Sequence, residues 1–437
     1  MNWMRFIYNV GLTVGFVIAS PWLLYRFIRR KEEWQRLGIF SHALRERIGN
    51  MPVVWFHCAS LGEVNAALPL IETFRQVCPG CAVVFSTITA TGYDRALRVM
   101  EGAEIIYFPL DLGWAVRRSL RVLKPRVFVM VETEIWPNFL KQARKMGVML
   151  MMASGRISGR SYCLYGRIRK SFAGMLDCID VFSMQTYSDA ERIIRLGADR
   201  GRVKVTGSLK FDSAIQPGVK DMGKDAIYES FGLEKDDDVF VAGSVRKGEE
   251  EPVLDAYCDI IRACPRIYLV IAPRHLRRTR CIEKLLAERK LKFVKRSALL
   301  NDRDSIQGVR VILIDTIGDL SLAYGIAKVV FVGGSLVPCG GHNILEPASL
   351  SKAVLFGPHM DNFREIADLF KTHGACIEVN DGGQLAREVE KLFKNPSRIK
   401  ELGENAANVI RECRGAAGKN AMMVKELLAK GVFKDGS

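Results

Sequence analysis

Short runs of apolar residues alternate with amphipathic segments from Pro52 onward. There the chain reads PVVWFHCASLGEVNAALPLIETFR: an apolar run, a loop of small residues, then apolar positions at helical spacing. The same pattern starts again at Asp238, after an irregular stretch that begins near Gln216. Strands that alternate with helices are typical of parallel sheets covered by helices on both faces. We therefore predict an α/β protein with two doubly wound, Rossmann-like domains that face a cleft.

The pattern divides the chain into three segments. We assign residues 1–30 to a membrane anchor, 31–215 to an N-terminal domain and 216–437 to a C-terminal domain. The tail after Gly415 is long enough for a last helix that crosses back to the N-terminal domain. Doubly wound folds bind ligands at the carboxyl ends of their strands, so the loops after the predicted strands hold the candidate site residues.

The anchor is predicted from the stretch Phe6 to Tyr25, which carries no charge over twenty residues, about the length that spans a bilayer as a helix. Aromatic and then basic residues mark its end: Trp22, Tyr25, Arg26, Arg29, Arg30 and Lys31. This order predicts a single-pass anchor in the cell inner membrane, with the domains on the cytoplasmic side. Because Asn9 and Pro21 interrupt the stretch, a helix lying in the membrane interface is the alternative.

The net charge of the chain indicates which classes of binding partner to expect. Sixty-four basic against 48 acidic residues give a net charge of +16, which suits an anionic membrane surface, an anionic substrate or nucleic acid. The basic residues are spread along the chain without a nucleic-acid-binding signature, so we expect no nucleic-acid partner. Eleven scattered cysteines and six dispersed histidines form no metal motif. We therefore expect reduced thiols, no metal and no cofactor.

The first candidate is Glu63, which ends the loop ASLGE after the first predicted strand. A carboxylate at a helix start should stay ionised, because the helix dipole favours its charge. Such a carboxylate can take the proton from a sugar hydroxyl as that hydroxyl attacks. The alternative is a favourable helix-start glutamate with no chemistry.

A second acidic group follows a later strand in ETEIWPNF. It places Glu132 and Glu134 beside Trp136, an acid pair next to an aromatic surface that suits carbohydrate contact. The alternative is a helix-start cluster around Pro137.

The second half is richer in cations and glycines after its predicted strands. Polar and cationic candidates there are Lys210, Ser244, Arg274 and His275. A helix is predicted at the end of FVGGSLVPCGGHNILEPASL. Because proline is tolerated only in the first turn, this helix should begin within about four residues before Pro347. Asn343 is then its cap, and Glu346 is in the capping-box position. We expect the glycines to let another molecule approach the backbone, as in phosphate-binding loops.

Each of these features has a plainer interpretation as a tight turn, a capped helix or a surface charge. Taken together, they indicate an anionic, nucleotide-linked donor in the second half and a general base in the first. Glu346 is placed to accept hydrogen bonds from ribose hydroxyls.

At these residues the sequence resembles the Kdo transferases of lipopolysaccharide synthesis, GT-B enzymes that move 3-deoxy-D-manno-oct-2-ulosonic acid (Kdo) from CMP-Kdo onto lipid A precursors. The resemblance lies in an ordered set of motifs: ASLGE (59–63), STITATG (86–92), ETEIWPN (132–138), GRIS (155–158), TGSLKFD (206–212), AGS (242–244), APRH (272–275), DTIGDL (315–320) and GGSLVPCGGHNILEP (333–347). They run over most of the chain from about residue 50 to 365. Departures at Ser154 and Gly155, and at Val245 and Arg246, affect fine contacts.

The resemblance implies roles for the candidates. Glu63 matches the base that deprotonates the acceptor hydroxyl, and Glu132 and Glu134 match an acid motif needed for activity. The reaction implied is inverting and metal-independent, with CMP as leaving group, and adds one or more Kdo units to lipid IVA. Donor binding is assigned to the residues in or beside the CMP-facing motifs: Lys210, Ser244, Arg274, His275, Gly334, Ser335, Gly341, Asn343 and Glu346.

Two alternatives remain from the sequence. One is a GT-B enzyme that uses a UDP-sugar, and the other is a non-catalytic, membrane-tethered protein that binds anions. Binding of CMP rather than UDP distinguishes the first, and loss of function on replacing Glu63 distinguishes the second.

Overall fold

The computed structural model describes residues 2–214, 222–235, 237–301 and 306–431, without the side chains of residues 2–5 and 23. The chain forms two compact units. One comprises Met1–Ser213 together with Cys413–Ser437, and the other comprises Ala214–Glu412.

The first unit is built on a seven-stranded parallel sheet in the order β3-β2-β1-β4-β5-β6-β7. Its strands are β1 Val53–Cys58, β2 Ala82–Thr87, β3 Glu104–Tyr107, β4 Pro125–Val131, β5 Met149–Gly155, β6 Val181–Met184 and β7 Val203–Val205. All six residues of β1 are buried, as expected for a strand covered on both faces. The strand order reverses between β1 and β4, which is where ligands of such sheets bind.

Helices cover both faces of this sheet. The α-helices of the first unit are Asn2–Arg29, His42–Ile48, Leu61–Val77, Ala90–Val99, Gly113–Leu123, Pro137–Lys145, Gly159–Arg167, Arg169–Leu176, Tyr187–Leu196, Leu209–Asp212 and Ala416–Lys430. Trp55 and Phe139 pack in the core on one face, and Phe56 and Phe74 pack on the other. The last helix contributes Val424 to that second core, so the end of the chain belongs to the first unit.

The second unit repeats the architecture with the order β10-β11-β9-β8-β12-β13-β14, again with parallel pairing. Its strands are β8 Val239–Val245, β9 Tyr268–Pro273, β10 Phe293–Lys295, β11 Val311–Leu313, β12 Val329–Val332, β13 Ala353–Phe356 and β14 Ile377–Glu378. Its α-helices are Lys224–Ser230, Glu250–Ala263, Thr279–Glu288, Arg296–Leu299, Asp319–Ile326, Leu345–Ser349, Arg364–Thr372, Gly382–Lys394 and Pro396–Cys413. The predicted pair of parallel-sheet α/β domains is thus confirmed.

The predicted single-pass anchor is not supported. None of the helices in the described part of the chain combines the length and the apolar character needed to cross a bilayer. The helix Asn2–Arg29 carries polar side chains that form hydrogen bonds with other parts of the first unit. The Tyr8 hydroxyl donates to Asp111 Oδ2 (2.9 Å), and Asn138 Nδ2 donates to Asn9 Oδ1 (2.6 Å). The prediction rested on the absence of charge and noted Asn9 as an interruption, but it did not include the bond from Tyr8 to Asp111.

Asp212 caps the helix that returns to the first unit, and its replacement tests this attachment. Its carboxylate accepts the N–H groups of Gly415 (2.8 Å) and Ala417 (3.0 Å). We expect Asp212→Ala to cost about 1–2 kcal/mol locally, because two helix-start donors lose their acceptor. Hydrogen exchange of residues 416–430 should then accelerate by roughly 5- to 30-fold. Asp225→Ala, which removes an exposed ion pair with Lys235, is the control and should leave that exchange unchanged.

Candidate active site

The loop after β1 holds the carboxylate of Glu63 by both oxygens. Ser60 caps the helix Leu61–Val77 and accepts the Glu63 N–H, while the Ser60 hydroxyl donates back to Glu63 Oε1 (2.8 Å). The Ala59 N–H donates to Glu63 Oε2 (2.7 Å). This reciprocal capping box fixes the side chain at the carboxyl end of β1.

Glu132 and Glu134 follow directly after β4, the strand that pairs with β1 where the sheet order reverses. Glu132 has a left-handed backbone (φ 60°), a conformation that is costly for a residue with a side chain and is concentrated at functional sites. Lys210 Nζ lies 2.9 Å from Glu132 Oε1. Trp136 Nε1 donates to Glu134 Oε2 (3.0 Å). We call Glu63, Glu132 and Glu134 the carboxylate cluster.

Burial and the neighbouring carboxylates raise the pKa values of Glu63 and Glu134. The pKa of Glu63 is raised chiefly by burial and then by Glu132, against the opposing hydrogen bonds from Ser60 and Ala59 and the charge of Lys210. Burial, together with Glu63, raises the pKa of Glu134 to about 7. The sequence-based expectation considered the helix dipole alone and did not include burial or the charge of Glu132. A higher pKa makes its carboxylate a stronger base near neutral pH.

His57 is a neighbour that the sequence analysis missed. Burial lowers its pKa to about 3, so the ring is neutral, and Nε2 lies 3.9 Å from Glu134 Oε2 without a hydrogen-bond partner among the described residues. Its Nδ1 lies 3.0 Å from Ser86 Oγ, and its ring stacks on Phe108 at 3.9 Å. A histidine inside an otherwise apolar strand, directly before ASLGE, was the available signal.

Lys210 lies in the short helix Leu209–Asp212 of the first unit, inside the bounds 31–215 predicted for the N-terminal domain. There Lys210 neutralises part of the carboxylate cluster through Glu132. This pairing was not predicted from the sequence, and the donor contact assigned to Lys210 stays a prediction.

In the second unit, a buried carboxylate organises the glycine-rich loop after β12. Glu249 is fully buried, and its two oxygens accept four backbone N–H groups: those of Arg246 (2.9 Å), Gly334 (2.6 Å), Ser335 (2.8 Å) and Leu336 (2.8 Å). These bonds fix the loop against the loop after β8. The sequence analysis missed Glu249, although a run of glutamates directly after a predicted strand marks it.

The glycines of this loop make room for the protein's own atoms. A Cβ at Gly333 would lie 2.7 Å from the Ser244 carbonyl oxygen, and one at Gly341 would lie 2.3 Å from Met360 Sδ. The Gly341 N–H donates to the Gly334 carbonyl (2.7 Å). Gly333, Gly334 and Gly341 thus serve close packing.

Ser335 is likewise structural. The side chain is fully buried, and its hydroxyl donates to the Val332 carbonyl (2.5 Å) and accepts the Gly357 N–H (2.8 Å). The hydroxyl therefore ties β12 to the end of β13. The Gly334 and Ser335 amides donate to Glu249 and so shape the loop, while their predicted contact with the donor stays a prediction.

Four basic side chains gather at the carboxyl ends of three neighbouring strands. Arg246 follows β8, Arg274 and His275 follow β9, and His342 lies in the loop after β12. Burial lowers the pKa of His342 to about 4, with help from Arg274, Arg246 and His275, so its ring is neutral. Its Nε2 then accepts a hydrogen bond from Arg246 Nε (3.1 Å). The pKa of His275 is also lowered, by desolvation and by the arginines around it.

We call Arg246, Arg274, His275 and His342 the cation cluster. Each histidine in it is pushed toward its neutral form partly by the arginines, which is the signature of positive charge in excess. Such a cluster favours an anion, and guanidinium groups match phosphate and carboxylate oxygens in geometry.

The helix start at the other side of this loop agrees with the sequence prediction to within one residue. The helix begins at Leu345, two residues before Pro347, with Ile344 as cap. Asn343 Oδ1 accepts the Leu345 N–H (3.1 Å), and Asn343 Nδ2 donates to Glu346 Oε1 (3.1 Å).

Ser244 is the second-to-last residue of β8, has a left-handed backbone (φ 57°) and is partly exposed.

Within the described residues, no group of three histidine, cysteine or acidic side chains is arranged to hold a metal ion.

Known proteins resemble this chain over most of its length. A family model described as 3-deoxy-D-manno-octulosonic-acid transferase (kdotransferase) matches residues 32–213. The 3-deoxy-D-manno-octulosonic acid transferase of Haemophilus influenzae is 32% identical over 382 residues, which cover 87% of this chain and 88% of that protein.

Two further comparisons extend this likeness. A bifunctional glycosyltransferase/methyltransferase of Fusobacterium nucleatum is 35% identical over 352 residues; the match covers 80% of this chain and 54% of that protein, so the chain spans about half its length. The crystal structure of a glycosyltransferase from Rickettsia africae superposes with a TM-score of 0.57 at 13% identity, covering 87% of this chain and 99% of that one. This last likeness shows a GT-B-like fold.

The resemblance inferred from the motifs is therefore confirmed. The match to the Haemophilus protein extends through most of the chain, and the carboxylate cluster lies inside the segment that the family model matches. The chain belongs to the 3-deoxy-D-manno-octulosonic acid transferase family.

Proposed function

We propose that the protein transfers Kdo from CMP-Kdo to a lipid A precursor, lipid IVA, with inversion and with Glu63 as general base. The observation that carries this proposal is the carboxylate cluster. Glu63 is held by both oxygens, and its pKa is raised toward the range in which a base works best at neutral pH. Membership of the family favours a Kdo donor over a UDP-sugar and over a non-catalytic anion-binding protein.

The proposed step balances without a metal. Glu63 takes the proton of the acceptor hydroxyl while that oxygen forms a bond to the anomeric carbon of Kdo. The bond from this carbon to the phosphate oxygen breaks, and CMP leaves with the electron pair. Attack from the side opposite the leaving group inverts the configuration. The reaction can be repeated on the new sugar, which allows one or more Kdo units.

On the donor side, the cation cluster supplies charge for the phosphate and carboxylate of CMP-Kdo. Arg246 and Arg274 neutralise negative charge as it develops on the leaving phosphate, and His275, beside Arg274, is assigned a hydrogen bond to the same donor. Glu346 and Asn343 lie at the adjacent helix start and are assigned to the nucleoside hydroxyls. Ser244, at the end of β8, completes this side of the proposed site.

The cellular setting follows from the proposed substrates. The acceptor is an anionic lipid, and the net charge of +16 suits an anionic membrane surface. We place the enzyme at the cytoplasmic side of the inner membrane, with attachment through the interfacial alternative for the first helix.

Replacing the base tests the mechanism. Glu63→Gln removes the proton acceptor and keeps side-chain size, so kcat should fall by about 100- to 10,000-fold in an assay of Kdo transfer by mass spectrometry of the lipid. Glu72→Gln, an exposed position on the same helix, is the control and should retain full activity. Both variants should keep the circular dichroism spectrum. Wild-type turnover by Glu63→Gln would contradict the role of the base.

The pH dependence tests the coupling inside the carboxylate cluster. Because Glu63 must be deprotonated, kcat/KM should rise with pH through its raised pKa. Glu132→Gln removes the negative charge that raises this pKa and leaves Lys210 to lower it. The rising limb of the profile should therefore move to lower pH, measured on the residual activity between pH 5 and 9. A limb that stays in place or moves to higher pH would show that Glu132 does not act on the base.

Donor binding is tested at Arg274. Losing one charge-assisted contact of about 1.5–3 kcal/mol should raise KM for CMP-Kdo by roughly 10- to 150-fold in Arg274→Ala. Arg280→Ala, an exposed arginine on the following helix, provides the matched control. Equal KM values for the two variants would remove Arg274 from the donor site.

A further inference from the structure

A groove of about 560 Å³ runs between the helix Asn2–Arg29 and the loops that follow the carboxyl ends of strands in the first unit's sheet. One wall is a stripe of the helix Asn2–Arg29 that includes Gly11, Gly15 and Ala19. The other wall is formed by residues 108–112 and Trp136. We call this space the apolar groove. Its volume is in the range of pockets that hold small ligands.

The lining of the groove is poorly suited to a polar ligand. Its polar lining groups are engaged within the protein: Tyr8 donates to Asp111, and Arg36 pairs with Glu33 (2.5 Å) and donates to the Ile88 carbonyl (2.6 Å). Asp111 in turn accepts the backbone N–H groups that follow Pro137. What remains available to an occupant is hydrocarbon and ring surface, so the groove suits an apolar chain.

Gly11 and Gly15 contribute no side chains to the helix wall of the groove. A Cβ built at Gly11 or at Gly15 meets no atom within 4 Å. This differs from Gly333 and Gly341 of the second unit, where a Cβ would meet neighbouring protein atoms. A side chain at Gly11 or Gly15 would extend into open space.

The groove is adjacent to the carboxylate cluster. Trp136 lines it and donates to Glu134, and Phe108 lines it and stacks on His57, whose Nε2 lies 3.9 Å from Glu134. The two rings, 5.8 Å apart, therefore form a wall that the groove shares with the cluster. An occupant that extends past this wall would bring its polar end to the carboxylates.

Charge around the groove favours an anionic amphiphile. The helix Gly113–Leu123 begins directly after Leu112, and its exposed Trp114 sits in a second cleft. Five cationic side chains line that cleft: Arg45, Arg117, Arg118, Arg121 and Lys124. The outer face of the first helix exposes further apolar side chains, including Val14 (51%), Val17 (62%) and Ile18 (75%), as lipid-facing surfaces do.

We propose that the apolar groove binds an acyl chain of the acylated, phosphorylated acceptor and so delivers its sugar to the carboxylate cluster. This inference rests on the proposed function for the identity of the acceptor. It assigns the first helix a part in substrate binding, in addition to any contact with a membrane surface.

The test places a larger side chain in the helix wall of the groove. Gly15→Leu projects a side chain into the groove, whereas Thr13→Leu places the same side chain at an exposed position of the same helix that does not line it. Gly15→Leu should raise KM for a tetraacylated, bisphosphorylated glucosamine disaccharide by at least about tenfold, because excluding even two methylenes has that effect on affinity. Turnover of the fully deacylated disaccharide should be unchanged, and Thr13→Leu should match the wild type with both acceptors.

Binding is measured separately from transfer, with the same acceptor carrying brominated acyl chains. Bromine in the groove should quench Trp136 fluorescence, identified as the signal lost in Trp136→Phe, and Gly15→Leu should abolish that quenching. If the wild type binds this lipid but transfers nothing, the proposed function fails while the groove assignment stands.

Three results would overturn the groove assignment: no effect of Gly15→Leu on KM or quenching, an equal loss of turnover with acylated and deacylated acceptors, or loss of binding to phosphatidylglycerol vesicles with an unchanged KM in detergent. The last would show that the groove receives bilayer lipid instead of the acceptor.

Discussion

Parallel strands end at one edge of a sheet, and this constraint brings three carboxylates together in the first unit. Glu63 follows β1, and Glu132 and Glu134 follow β4, its neighbour at the point where the strand order reverses. Burial and repulsion destabilise the charged forms of Glu63 and Glu134. The structure offsets this with Lys210 and with the hydrogen bonds from Ser60 and Ala59. The result is a carboxylate of raised pKa that is fixed in place, which is what a general base for a sugar hydroxyl requires.

The second unit uses a carboxylate in the opposite way. Glu249 is fully buried and accepts four backbone N–H groups, so it organises a loop and does not meet solvent. Its charge is satisfied inside the fold, and the cation cluster of Arg246, Arg274, His275 and His342 is left with excess positive charge at the strand ends. One unit thus presents carboxylates suited to accept a proton, and the other presents cations suited to an anionic leaving group.

Much of this organisation could be predicted from the sequence, because apolar runs and helical spacing are local signals. These signals predicted both parallel sheets and the start of the helix that contains Pro347. They also predicted the strand ends where Glu63, Glu132, Arg274 and His275 lie. What failed depends on tertiary contacts. The glycines at 333 and 341 face Ser244 and Met360, and Lys210 pairs with Glu132; neither contact is encoded in local pattern. The length of the charge-free stretch at the start of the chain likewise overstated its apolar character.

The account depends most on the raised pKa values in the carboxylate cluster, and carbon-13 NMR titration of the glutamate side-chain carboxyls measures them directly. Signals are assigned by their loss in Glu63→Gln and in Glu134→Gln. We expect the Glu134 carboxyl to titrate near pH 7 and the Glu63 carboxyl above the ordinary range of a glutamate, with both moving to lower pH in Glu132→Gln. Ordinary glutamate pKa values that do not respond to Glu132 would contradict the account.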